Sequence, residues 1–103
     1  MRLYKEISEL KLRITINPKD CCDYLESIGY HSIERTKDLL AVSNELGHVV
    51  HIPVKKEYRD YVPRLIVFME QLGDYLGVGS YDVYEGIMNV VRMRVLKEKE
   101  EKE

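Results

Sequence analysis

The stretch LLAVSNELGHVVHIPV, residues 39–54, predicts a β-hairpin, and this hairpin decides the fold class. Apolar positions alternate on both sides of NELG, where Asn44 and Gly47 can adopt turn conformations. Pro53 cannot donate a hydrogen bond to a neighbouring strand, so we expect the second strand to end there, at an edge of the sheet. One face of the hairpin is apolar and carries Leu40, Val42, Val50, Ile52 and Val54.

Two histidines, His48 and His51, lie three positions apart in the second strand of the hairpin. Successive side chains of a strand point to opposite faces, so the two imidazoles cannot ligate one metal ion. We expect each to be structural or merely exposed, and His51 is the candidate for contact with a ligand.

Further strands are predicted upstream of the hairpin. ELKLRITI, residues 9–16, alternates apolar residues with Lys11, Arg13 and Thr15, which predicts a strand with one buried face and one basic face. Residues 30–36 predict another strand. Together with the hairpin strands these make four, and their alternating patterns favour an antiparallel sheet.

A short helix is predicted over NPKDCCDYLESIG, residues 17–29. Asn17 can cap it, Pro18 suits its first position, and Gly29 can close it in a left-handed conformation. The outer side of this helix is expected to be acidic through Asp20, Asp23 and Glu26.

Two longer helices are predicted in the C-terminal half. The first begins at Asp60 and ends before GVGS at 77–80, and the second begins at Ser80. The predicted architecture is α+β: a four-stranded antiparallel sheet with helices on one face, in the order β-α-β-β-β-α-α. Residues 1–103 are expected to form a single domain, with the sheet and first helices in 1–77, an oligomerisation helix over 80–97 and a charged tail over 98–103.

The apolar stripes of the two long helices are broader than one sheet face usually covers. This breadth predicts a homo-oligomer, most simply a dimer, assembled through residues 61–96. The predicted interface consists of Phe68, Tyr75, Tyr84, Ile87, Met88, Val91 and Val95.

The composition limits the classes of protein to consider. Sixteen basic residues against 18 acidic ones mean that any surface for nucleic acid must be local. The sequence has no apolar run of membrane-spanning length and no secretion signal, which predicts a soluble cytoplasmic protein. Cys21 and Cys22 are neighbours and are expected to be reduced thiols. Dense mixed charge with few Asn and Gln residues favours a thermophilic source.

The open face of the predicted sheet combines cations with flat or apolar side chains, a mixture suited to single-stranded DNA or RNA. The candidate contacts are Lys11, Arg13, Tyr30, His51, Lys55, Lys56 and Arg59. The alternative is a protein-interaction module that uses the tyrosine-rich helices, with Tyr81 or Tyr84 in contact with the partner. No nucleophile with a base, no paired carboxylates and no phosphate-binding glycine loop are present, so we expect no enzymatic activity, cofactor or metal.

Residues 18–76 have the predicted element order of the double-stranded-RNA-binding fold, and GYHSIERT through GHVVHIPV resembles the HicA toxin family. That resemblance implies a messenger-RNA-cleaving fold whose catalytic histidine lies on the second strand. The corresponding stretch here is TKDLLAV, so the chain resembles a HicA-like protein without that histidine. GHVVHIPVKKEYRDYV also resembles the hairpin of AbrB-type DNA-binding antitoxins, from which the long following helix departs.

Overall fold

The computed structural model describes residues 9–101, which form four helices and a three-stranded antiparallel sheet. The elements follow the order α-α-β-β-β-α-α, so the α+β class is confirmed and the predicted four-stranded sheet is wrong. Their bounds are α1 Glu9–Thr15, α2 Pro18–Ser27, β1 His31–Arg35, β2 Leu39–Ser43, β3 Val49–Pro53, α3 Tyr61–Leu76 and α4 Ser80–Glu101.

The segment predicted as the first strand is the helix α1. An alternating apolar pattern also contains an i, i+4 pair, and here Leu12 and Ile16 are buried while Ile14 between them is exposed. Most residues of ELKLR are strong helix formers, and this local preference accounts for the outcome. The sheet therefore lacks the basic strand that was expected to line its open face.

The hairpin forms as predicted. β2 pairs with β3 in antiparallel register, with Leu40 opposite Ile52 and Val42 opposite Val50. The sheet order is β1-β2-β3, which makes β3 an edge strand that ends at Pro53. In the connecting turn, the Asn44 side chain accepts hydrogen bonds from the backbone N–H groups of Leu46 and His48.

The core lies between one face of the sheet and the helices. Val42, Val50 and Ile52 of the sheet are buried with most of the apolar stripe of α3. α4 packs against both α2 and α3, and α3 packs against β3. The opposite side of the sheet, which we call the outer face, carries the exposed side chains Val49 and His51.

α2 begins and ends where the sequence predicts. Pro18 is its first residue, the carboxylate of Asp20 accepts a hydrogen bond from the Asn17 N–H at 2.8 Å, and Gly29 follows with a positive φ. The prediction that Asp20 belongs to the acidic outer side is wrong, since its side chain is 1% exposed. Asp23 and Glu26 do lie toward solvent.

α4 runs from Ser80 to Glu101, past the predicted end at residue 97. Most of the segment expected as a charged tail is thus helical, and its last two residues lie outside the described part of the chain. Within residues 9–101, no helix is long and apolar enough to cross a membrane.

Candidate functional site

A groove of about 390 Å³ opens between the sheet and α3. Leu39 and His51 line its sheet side, and Val67 and Phe68 line its helix side. The polar side chains of Asp60, Arg64 and Gln71 complete the lining, together with the apolar ring of Pro63. We call this concavity the outer groove.

The two histidines lie in different surroundings, although only His51 lies on β3 and His48 precedes that strand. His48 Nδ1 is hydrogen-bonded with the Tyr30 hydroxyl at 2.9 Å, and its ring stacks on Tyr75 with the centroids 3.6 Å apart. His51 is exposed on the outer face and lines the outer groove. Tyr30 is buried by this arrangement, so it does not join the open face of the sheet as the sequence suggested.

The loop between β3 and α3 carries three of the predicted cations, Lys55, Lys56 and Arg59, and we call residues 55–59 the cationic loop. Arg59 is exposed, and Lys55 Nζ lies 5.7 Å from the ring centroid of Tyr58. The loop leads directly into Asp60, which lines the outer groove. The fold therefore places the cationic loop immediately before a residue that lines the groove.

Arg13 lies against the same loop, although it reaches it from a helix and not from a strand. Its guanidinium donates hydrogen bonds to the carbonyl oxygens of Lys56, Tyr58 (2.8 Å) and Arg59 (3.4 Å). It also lies 5.9 Å from the ring centroid of Tyr61. Arg13 thus holds the loop in place, while Lys11 is exposed on the same helix.

We expect Arg13→Met to lower the free energy of unfolding by about 1–3 kcal/mol, because hydrogen bonds from a charged group to backbone carbonyls are lost. Amide hydrogen exchange should become faster in residues 55–60, and urea denaturation measures the stability. Lys19→Met is the control, since Lys19 is exposed and its ion pair with Asp23 is screened by solvent and contributes little to stability. Equal stability of the two variants would contradict the role given to Arg13.

An ion pair between the buried carboxylate of Asp20 and the partly exposed Arg94 lies behind the loop and was missed in the sequence. Arg94 Nε donates to Asp20 Oδ1 at 2.9 Å, and Arg94 also donates to Asp20 Oδ2 and to the Thr15 carbonyl. The sequence Asn17–Pro18 predicts the start of α2, and the carboxylate of Asp20, three residues after the cap, is typical of a capping box. No local signal points to a partner 74 positions away.

Lys56 borders this pair. Its ammonium donates to Asn17 Oδ1 at 2.7 Å and to the Ile14 carbonyl at 3.3 Å. Burial lowers the pKa of Lys56, the guanidinium groups of Arg94 and Arg13 lower it further, and the Asp20 carboxylate acts in the opposite direction. The cations around the loop thus outweigh the single buried carboxylate.

The cysteines show no sign of activation. Cys21 is buried, and burial raises the pKa of its thiol. Burial also raises the pKa of Cys22, and the nearby Asp23 adds to that effect. Both thiols are therefore protonated near neutral pH, which is unfavourable for a nucleophile or a metal ligand. Among residues 9–101, no group of three or more His, Cys, Asp or Glu side chains is placed to hold a metal ion.

Most of the residues predicted for an oligomer interface pack inside the chain itself. Phe68, Tyr84, Ile87 and Val91 are buried in the core, and Met88 packs against it. Tyr75 and Val95 are exposed. The sheet, α2 and the mutual packing of α3 and α4 cover the broad apolar stripes, so the breadth of these stripes no longer requires a second copy.

The charges are segregated along the chain. No Lys or Arg occurs in residues 38–54 or 65–91, which hold the hairpin, most of α3 and the first half of α4. These ranges contain six acidic residues, Asp38, Glu45, Glu70, Asp74, Asp82 and Glu85. The turn between β2 and β3 meets the C-terminal turn of α3 through a hydrogen bond from Asn44 Nδ2 to the Tyr75 hydroxyl, at 3.1 Å. Glu45, Asp74 and Asp82 lie in or beside these turns, whereas Asp38 lies at the other end, where its carbonyl accepts a hydrogen bond from the Val54 N–H.

The chain matches no protein-family model, no curated protein and no solved structure. Residues 18–76 do have the helix, three strands and helix of the double-stranded-RNA-binding order. β2, where the HicA resemblance puts the catalytic histidine, has the sequence LLAVS.

Proposed function

We propose that this protein binds single-stranded nucleic acid at the outer groove, with the cationic loop in contact with the phosphates. The observation that carries the proposal is a largely apolar groove with His51 on its wall, whose lining residue Asp60 directly follows the cationic loop in sequence. Unpaired bases bind to apolar or flat surfaces, and the phosphates that flank them along the nucleic-acid backbone bind to nearby cations.

The groove has the size and lining for a base. Its volume of about 390 Å³ lies in the range of small-ligand sites, and Leu39, Val67 and Phe68 give it an apolar wall. Arg64 Nε donates to Asp60 Oδ2 at 2.6 Å, so the groove also presents a charged donor and acceptor pair toward the polar edge of a base. A base inside a duplex cannot enter such a groove, which favours single strands over double strands.

The cations have separate parts in this proposal. Lys55 and Arg59 contact phosphate directly, whereas Arg13 fixes the loop through its carbonyl groups. Lys56 is held by Asn17 and Ile14 and adds positive potential behind the loop. Lys11 contributes from α1. The proposed contacts all come from one protomer and involve no chemical step. We therefore propose a binding protein without catalytic activity.

The proposal predicts a binding loss for Lys55→Gln combined with Arg59→Gln. We expect affinity for a labelled single-stranded oligonucleotide to fall about 10-fold or more at low salt, because two phosphate contacts are lost. The slope of log affinity against log salt should decrease by about 1.4. Fluorescence anisotropy with DNA and RNA, single- and double-stranded, across a salt titration measures both quantities.

The matched control is Arg92→Gln combined with Lys99→Gln, which removes the same charge from exposed positions of α4. Its affinity should stay within about 2-fold of the original protein, since these side chains lie outside the groove and the loop. Val67→Glu, which adds bulk and negative charge to the groove wall, should weaken binding without changing the loop. The proposal fails if single strands do not bind at low salt or if the two charge variants lose affinity equally.

A further inference from the structure

Exposed apolar residues also occur around the β2–β3 turn and the turn between α3 and α4, within residues 38–54 and 65–91, which contain no Lys or Arg. Leu46 in the β2–β3 turn is 86% exposed, and Val49, Tyr75 and Val78 are each exposed by about two fifths. We call these four residues the tip surface. The Asn44–Tyr75 hydrogen bond brings the turn that holds Leu46 beside the end of α3, and exposed apolar side chains that lie close together mark interaction sites.

The tip surface has a fixed geometry at its centre. The ring of Tyr75 stacks on His48 at 3.6 Å between centroids, and its hydroxyl accepts a hydrogen bond from Asn44 Nδ2 at 3.1 Å. His48 is itself held by Tyr30, which is buried. An exposed tyrosine with both ring and hydroxyl held in place loses little further freedom when a partner covers it.

The rim of the tip surface carries charge of one sign. Glu45 and Asp74 are exposed and are sequence neighbours of Leu46 and Tyr75. Asp82 follows at the start of α4, where its carboxylate accepts a hydrogen bond from the Gly79 N–H. No Lys or Arg lies in the sequence ranges that build this end of the molecule. A partner that covers the tip surface is therefore selected by positive charge as well as by apolar contact.

We propose that the tip surface docks a segment of a partner protein that is apolar on one side and rich in Lys or Arg on the other. The apolar side covers Leu46, Tyr75 and Val78, and the cations face the acidic rim. This surface lies at the end away from the cationic loop, so the chain can hold a nucleic acid and a protein partner together.

The test uses a synthetic helical peptide of about 16 residues, leucine on one side and lysine on the other, and a counterpart with glutamate in place of lysine. Isothermal titration calorimetry should show binding of the lysine peptide and at least about 10-fold weaker binding of the glutamate peptide. Glu45→Gln combined with Asp74→Asn should reduce affinity for the lysine peptide about 5- to 10-fold. Leu46→Ser combined with Val78→Ser should reduce it about 10-fold even at high salt.

The matched control is Asp23→Asn combined with Glu26→Gln, which removes the same charge from the acidic side of α2. If this control loses as much affinity as the rim variant, the attraction is unspecific and the proposal is wrong. If the protein alone self-associates in sedimentation, and the rim variant abolishes that association, the occupant is a second copy and the proposal is wrong as well. Oligonucleotide affinity should be unchanged in both tip variants, so failure here is distinguishable from failure of the nucleic-acid site.

Discussion

Replacing Arg94 with methionine is expected to lower the free energy of unfolding by about 3 kcal/mol or more, because the buried carboxylate of Asp20 loses its charged partner. Asp20 is almost fully buried, and both its oxygens accept hydrogen bonds from the arginine. Methionine retains much of the side-chain volume, so the loss reports the interaction and not a cavity. Urea denaturation monitored by circular dichroism measures it.

The second variant in this experiment is Arg94→Met combined with Asp20→Asn. Asparagine is uncharged and keeps an oxygen that can accept from the Asn17 N–H, so part of the stability should return. Glu98→Gln is the control, since its pairing with Arg94 spans 3.6 Å at an exposed position and should contribute less than about 1 kcal/mol. A double variant as unstable as the single one would contradict the buried-charge explanation.

Phe68→Ala is expected to cost about 3–5 kcal/mol of unfolding free energy, because a fully buried aromatic ring is removed from the core. The sequence placed Phe68 in an oligomer interface, where its loss would change the state of association instead. The structure buries it between α3 and the sheet. Thermal or chemical denaturation measures the cost, and sedimentation measures the association state.

Val95→Ala is the matched comparison, because the same sequence argument grouped Val95 with Phe68. Val95 is 49% exposed, so its truncation should change stability by less than about 0.5 kcal/mol. A protein that keeps its stability but loses self-association on Phe68→Ala would contradict the core placement. A large effect of Val95→Ala on association would instead restore a role for α4 as an interface.

The hairpin and the long helices could be predicted from sequence because their signals are local and redundant. In β2 and β3 the alternation, the Asn44–Gly47 turn and Pro53 agree, and in α3 the apolar repeat extends over four turns. At α1 the signals conflict. The eight residues 9–16 fit both the alternating pattern of a strand and the i, i+4 spacing of a helix. Their helix propensity would be overridden only if a neighbouring strand were available to pair with them.

The candidate site was predicted in part. His51 does line the groove, and Lys55, Lys56 and Arg59 lie in the loop that leads to its lining residue Asp60, since these positions follow from the local course of β3 and the loop after it. Arg13 was expected among them, but as a ligand contact and not as a support for the loop. The Arg94–Asp20 pair was missed because the charge pattern of α4 gives no indication of which carboxylate, far away in sequence, it will meet.

The acidic side chains of the tip and the cations of the loop lie at opposite ends of β3 and α3, so together they contribute a dipole along the molecule. If the protein binds nucleic acid as proposed, this contribution favours an approach with the cationic loop toward the polyanion and the acidic tip away from it. We then expect productive encounters to be more frequent than random orientation allows. The same orientation leaves the apolar end facing outward from the polyanion, where it stays accessible to other molecules.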